Sequence, residues 1–165
     1  SLFNLFLDYM FFRFMKSIEN NFDNPSVNTL LHYHFYQLRS NSPKGSTHVL
    51  DIEGLKVSSI KFWSIWEEEK LIGCGALKFL EKDHGEFKSI RIADEFRGKG
   101  YGIKLLNHLI IEAKKNGINK ISLETGAGIF FEPARKLFEK AGFKTCEPFA
   151  HYKIDSNSCY YSKEI

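Results

Sequence analysis

Ile90-Arg91-Ile92-Ala93-Asp94-Glu95-Phe96-Arg97-Gly98-Lys99-Gly100-Tyr101-Gly102 joins an apolar extended run to an amphipathic helix through a loop with three glycines. Glycine lets a backbone approach a ligand closely and adopt positive φ. A helix start offers unpaired N–H groups and the positive end of the helix dipole. Together these make an anion site suited to phosphate groups, and Arg97 and Lys99 add positive charge. Spacing separates this loop from two well-known ones. G-x-x-x-x-G-K-[ST] is absent, and G-x-G-x-x-G fails because Ile103 stands where the third glycine belongs. The pattern that fits is R-x-x-G-x-G, filled by Arg97, Gly100 and Gly102.

Downstream of the loop, Ile103, Leu106, Ile110 and Ala113 form one helical row, which Leu105 and Leu109 widen. Lys114 and Lys115 suit the last turn and Gly117 closes the helix. Residues 118–124 read as a strand. Pro133 opens a second helix that carries Ala134, Leu137, Phe138 and Ala141 and stops at Gly142. Residues 143–149 and 158–164 read as the final strands. Upstream, residues 86–92 form a strand with imperfect alternation, preceded by a turn at His84-Gly85. Residues 61–66 and 71–80 form a hairpin around the polar run Glu67–Lys70. Asn24 caps a helix with Pro25 at its first position, and Val27, Leu30, Leu31, His34, Phe35 and Leu38 share one face. This order predicts a mixed α/β fold with a largely antiparallel sheet, because the early strands join through short turns.

The chain has 165 residues, 43% hydrophobic and 26% charged. That composition predicts one domain over residues 1–165, with residues 1–12 as an added N-terminal extension. A chain of this size buries roughly 68–70% of its unfolded surface and folds without disulfides or a metal. Disorder, collagen-like fibres and disulfide scaffolds are excluded. A net charge of +3 is too mild for a nucleic-acid partner. Cys74, Cys146 and Cys159 match no zinc or redox spacing, so they read as free thiols in a reducing cytoplasm. The apolar run Leu2–Met15, interrupted by Asn4, Asp8 and Arg13, reads as a first strand or helix and not as a membrane span.

With strand, loop and helix in register, the chain resembles the GNAT superfamily of acyl-CoA-dependent N-acyltransferases. The later run Ala134-Arg135-Lys136-Leu137-Phe138-Glu139-Lys140-Ala141-Gly142-Phe143 falls in family order. Ser122-Leu123-Glu124-Thr125-Gly126 and Phe131-Glu132-Pro133-Ala134-Arg135, with Tyr152 and Asn157-Ser158, look like a bacterial subgroup of small-molecule or uncharacterised members. The resemblance implies a twisted, mostly antiparallel sheet of six or seven strands with about four helices. It implies acetyl-CoA as cosubstrate, lying between two splayed parallel strands around residues 89–92 and 121–124. Backbone N–H groups from Gly98 to Gly102, including Lys99, Gly100 and Tyr101, would hold the pyrophosphate. Backbone of Ile90 and Ile92 would pair with the pantetheine arm. The exposed late strands of this fold often pair, which makes a homodimer one possible assembly and leaves the oligomeric state open.

Acyl transfer to an amine needs a neutral nucleophile, and an alkylamine has a pKa of about 10.4. A positioned carboxylate can take that proton. Glu86 enters the glycine-loop strand where many family members place a glutamate. It lies six residues before Ile92, so on one regular strand both point to the same face. Glu124 ends the other splayed strand and could bind a cationic acceptor or share the base role. Many relatives carry an Asn before the last helix and a Tyr within it; here Phe131 and Phe138 stand there, so that proton donor is missing. Tyr152 is the candidate substitute. No metal is called for. Two main readings follow, an acetyltransferase acting on a small-molecule or peptide primary amine or an acyl-CoA-binding regulatory module; a third, an unrelated phosphate-binding domain, requires the strand–loop–helix match to be coincidence. Phe131 and Phe138 favour the second, and Glu86 favours the first.

Overall fold

A computed structural model describes residues 2–4, 15–48 and 50–165. The apolar N-terminal run therefore lies mostly outside the described residues. Seven strands form one sheet: β1 (Met15–Glu19), β2 (Ile60–Glu67), β3 (Lys70–Glu81), β4 (His84–Ile92), β5 (Lys120–Gly126), β6 (Lys144–Thr145) and β7 (Ser158–Glu164). Their spatial order is β1-β2-β3-β4-β5-β7-β6. Every neighbouring pair is antiparallel except β4 and β5. That exception follows from the crossover helix between them, since parallel neighbours cannot be joined by a tight turn.

Helices cover both faces. The first, α1 (Pro25–Asn41), begins where the Asn24 side chain accepts hydrogen bonds from the backbone N–H of Ser26 and Val27. With the short α2 (Ile52–Leu55), it buries Val27, Leu31, Phe35 and Leu55 against Phe62, Cys74 and Ala76. The crossover helix α3 (Tyr101–Lys115) and the later α4 (Glu132–Lys140) cover the opposite face. There Leu105, Leu106 and Leu109 pack with Ile72, Leu77, Ile121 and Leu123. Trp63 joins this second core and Trp66 the first. No helix among the described residues is long and apolar enough to cross a membrane.

Four details differ from the sequence expectations. The turn before β4 is Lys82-Asp83, with Asp83 at φ +68°, and His84 and Gly85 already pair with β3. The strand expected over residues 143–149 shortens to Lys144–Thr145. Pro148 lacks the N–H needed to continue the ladder, although Cys146 still donates its N–H to the Tyr160 carbonyl. Pairing of β4 with β5 extends through Glu86 and Ser122 before the strands separate, so Ile121 and Ser122 lie in the paired part. Finally, β4 is not regular. Its register against β3 passes from Ala76 opposite Lys88 to Cys74 opposite Arg91, leaving one extra residue in β4. Ser89 takes φ +53° within this bulge, and the Cys74 thiol donates to its carbonyl at 3.3 Å. The bulge reverses the alternation. Phe87 before it and Ile90 and Ile92 after it join the α3/α4 core. Glu86, Lys88 and Arg91 turn toward α1, so Glu86 and Ile92 lie on opposite faces.

Candidate active site

Beyond Glu86 and Ser122 the two parallel strands diverge, and a cavity of about 300 Å³ opens between them. Strand residues Ser89, Ile90 and Ile92 line one wall and Leu123, Glu124 and Thr125 the other. At one end stand Arg97, Gly98 and Gly102 of the glycine loop. Gly98 and Gly100 have φ of +71° and +83°, a left-handed backbone that residues with a Cβ rarely adopt. A Cβ at either would meet nothing within 4 Å, so the loop's outer side is open to a ligand. The same arrangement places the N-terminus of α3 beside the cavity. The glycine loop and the slot between the strands thus line one continuous cavity.

Lys99 and Gly100 are exposed and are not among the lining residues. The Tyr101 ring stacks edge-on with Phe96, and its hydroxyl donates to Glu67 at 2.6 Å. Only the backbone of Tyr101 is left to serve the loop. The Arg97 guanidinium stands 3.8 Å from Asp94.

Glu86, which is 1% exposed, also lines the cavity. Its Oε2 accepts hydrogen bonds from the Tyr152 hydroxyl at 2.6 Å and the Lys88 ammonium at 3.2 Å. Lys88, with a side chain 9% exposed, also reaches the Tyr152 oxygen at 3.0 Å. Glu86 Oε1 has no hydrogen-bond partner among the described residues. Glu124 faces the same cavity from β5 and accepts from the Ser158 hydroxyl at 2.7 Å. Burial raises its carboxyl above the usual range, opposed by the Ser158 hydrogen bond. Burial, together with the Glu86 carboxylate, raises the Tyr152 phenol, which therefore keeps its proton.

The structure thus gathers Glu86, Glu124 and Tyr152 into one cluster, but Tyr152 sits behind Glu86 and does not line the cavity. Phe131 and Phe138 do line it. Phe138 packs its ring near Phe143 and Tyr161, at centroid distances of 6.0 and 6.3 Å, with no hydroxyl to offer. Several lining residues went unmarked in the sequence. Lys88 could have been found from strand periodicity, being two residues from Glu86. His48 reaches the site from the loop after α1, its ring edge-on to Tyr152 at 5.1 Å, and no local pattern announces it. Among the described residues, no group of three or more His, Cys, Asp or Glu side chains could hold a metal ion.

The acetyltransferase (GNAT) family model matches residues 25–143, which contain the bulged strand, the glycine loop and both helices of the second core. The chain is 46% identical over 139 residues to the uncharacterized N-acetyltransferase YsnE of Bacillus subtilis (strain 168), covering 84% of this chain and 92% of that protein. It is 40% identical over 138 residues to the uncharacterized N-acetyltransferase YedL of Escherichia coli (strain K12), covering 84% and 87%. A GNAT family acetyltransferase from Elizabethkingia anophelis, solved with acetyl-CoA bound, superposes with a TM-score of 0.66 at 19% identity, covering 92% of this chain and 99% of that one. The chain therefore belongs to the GNAT family and is an acetyl-CoA-dependent N-acyltransferase.

Proposed function

We propose that the protein moves the acetyl group of acetyl-CoA directly to a primary amine of a small molecule or peptide, in the cytoplasm. The observation that carries this reading is the half-engaged carboxylate of Glu86. One of its oxygens is held by Tyr152 and Lys88 while the other, buried at the cavity wall, has no partner among the described residues. A carboxylate fixed in this way can accept a proton from an amine, directly or through one water. Tyr152 is a positioning residue, since its hydroxyl is spent on Glu86. Glu124 attracts the cationic form of the acceptor. A thiol has a pKa near 8.5, so the leaving thiolate departs without a dedicated acid. Ile90 and Ile92 offer backbone to the pantetheine arm. Arg97, with the N–H groups of Gly98, Lys99, Gly100, Tyr101 and Gly102, receives the pyrophosphate. The Elizabethkingia anophelis relative with acetyl-CoA bound supports that donor.

The test is to incubate the protein with acetyl-CoA and a panel of primary amines and to follow release of free thiol. Turnover above background with at least one amine is expected. Tight acetyl-CoA binding with no turnover across the panel would overturn the reading in favour of an acyl-CoA-binding regulatory module.

A further inference from the structure

Where α1 crosses the bulged half of β4, the same cavity is lined by two basic side chains that proton abstraction does not use. His34 is 5% exposed and stands between the buried Leu30, Leu31 and Phe35 of α1. Neither of its ring nitrogens has a hydrogen-bond partner among the described residues. Arg91 is 9% exposed. Its Nη2 donates to Asp94 at 3.0 Å, and its guanidinium lies 5.1 Å from the centroid of the Tyr33 ring. Arg91 Nε has no partner among the described residues either. A buried donor left unpaired is costly, and native structures rarely keep several together without a reason.

The cavity is therefore polarised. Unmet nitrogens gather under α1, and an unmet carboxylate oxygen, that of Glu86, lies with Glu124 further along the strands. We infer that the acceptor is a free amino acid or a close analogue, a small molecule with a carboxylate as well as its amine, and that Arg91 and His34 receive the carboxylate. This rests on the acceptor site proposed above. The chemistry fits both ends. A carboxylate only accepts hydrogen bonds, and its two oxygens can take the Arg91 Nε–H and one imidazole N–H. Burial, aided by the Arg91 charge, pulls the His34 pKa down to about 3, so the ring is neutral and donates one N–H without adding a second cation. An amine without a carboxylate leaves both groups unpaired. Sites built to hydrogen-bond a ligand group reject analogues lacking it far more strongly than apolar pockets reject a missing methylene.

The experiment titrates CoA-loaded protein by calorimetry with the twenty standard amino acids, β-alanine and 4-aminobutyrate, each beside its decarboxylated amine and its carboxamide. Thiol release from acetyl-CoA is measured with the same compounds. At least one amino acid should bind tenfold or more tightly than its amine and amide, with kcat/KM in the same order. Arg91→Lys keeps a cation beside Asp94 but loses the Nε–H, and it should lower that ratio at least fivefold. Decarboxylated amines that bind and react as well as the amino acids would overturn this inference and leave the transferase reading intact. Amino-acid selectivity in binding with no thiol release from any compound would do the reverse. Absence of binding by every amino acid would overturn the inference whatever the amines do.

Discussion

Glu86→Gln removes one charge and almost no volume. In the native protein the carboxylate accepts hydrogen bonds from Tyr152 at 2.6 Å and Lys88 at 3.2 Å, both from side chains largely out of water. The amide can still accept from one of them. A hydrogen bond to a charged group contributes about 1.5–3 kcal/mol and a neutral one about 1 kcal/mol, so the substitution should destabilise by roughly 1–3 kcal/mol. At about 2–4 °C per kcal/mol for a domain of this size, Tm should fall by roughly 2–12 °C. The rate effect is larger. Loss of a positioned general base costs about 10²–10⁴-fold, which at 1.36 kcal/mol per decade is about 3–5 kcal/mol of barrier. Thiol release by wild type and variant, measured from pH 6 to 10 with an active amine, should show this deficit at pH 7. The gap should narrow as pH approaches the amine pKa of about 10.4, where the neutral nucleophile forms unaided. Acetyl-CoA affinity should stay nearly unchanged. A folded Glu86→Gln protein with wild-type kcat at pH 7 would refute the role of Glu86 and make Glu124 the next residue to test.

Gly100→Val should weaken acetyl-CoA binding by about tenfold or more, because a β-branched residue at φ +83° carries strain of order 1–3 kcal/mol and reshapes the loop; unchanged affinity by calorimetry would move the pyrophosphate site elsewhere. Glu124→Gln should raise Tm at neutral pH. The folded pKa of Glu124 lies above its unfolded value, so the native state favours the protonated form, and the stability it contributes below the unfolded pKa is lost as pH rises through the folded pKa. The advantage of the variant should fade below about pH 4, where both states of wild type are protonated, and a Tm gain that persists there would contradict this account. Phe138→Tyr should change the rate by less than about tenfold, since an acid contributes only where it is positioned; a larger gain would show that protonation of the leaving thiolate limits turnover.

Much of the frame was legible because it is local. The cap at Asn24, the hairpin around Glu67–Lys70, and the helices entered at Gly100 and Pro133 are each set by a few neighbouring residues. The site was legible only where it coincides with a motif. Glu86 and the glycine loop belong to one continuous run, and position along that run is enough to nominate them. Tyr152 was nominated from the family resemblance as a proton donor, but its bond to Glu86, like the approach of His48, spans more than 30 residues and is brought about by tertiary packing that leaves no periodic trace. His34 read as one more residue of an apolar helix face, and it does lie there; its missing partners are a property of the fold. The bulge left a trace in the broken alternation of residues 86–92, but Ser89 is not glycine, and nothing in its identity announces a positive φ.

Deleting Ser89 would place Ile90 opposite Gly75 and Arg91 opposite Cys74 in uninterrupted register. It would also relieve a left-handed residue that costs of order 1–3 kcal/mol. The straightened strand could keep pairing with β5 past Ser122, closing the space where both substrates must meet. A single extra amino acid thus interrupts a register that would otherwise run on, and the proposed transfer site lies beside the interruption. An engineering programme on this scaffold has to screen for turnover at every round, because relieving the strain at Ser89 alters the strand that lines the proposed site.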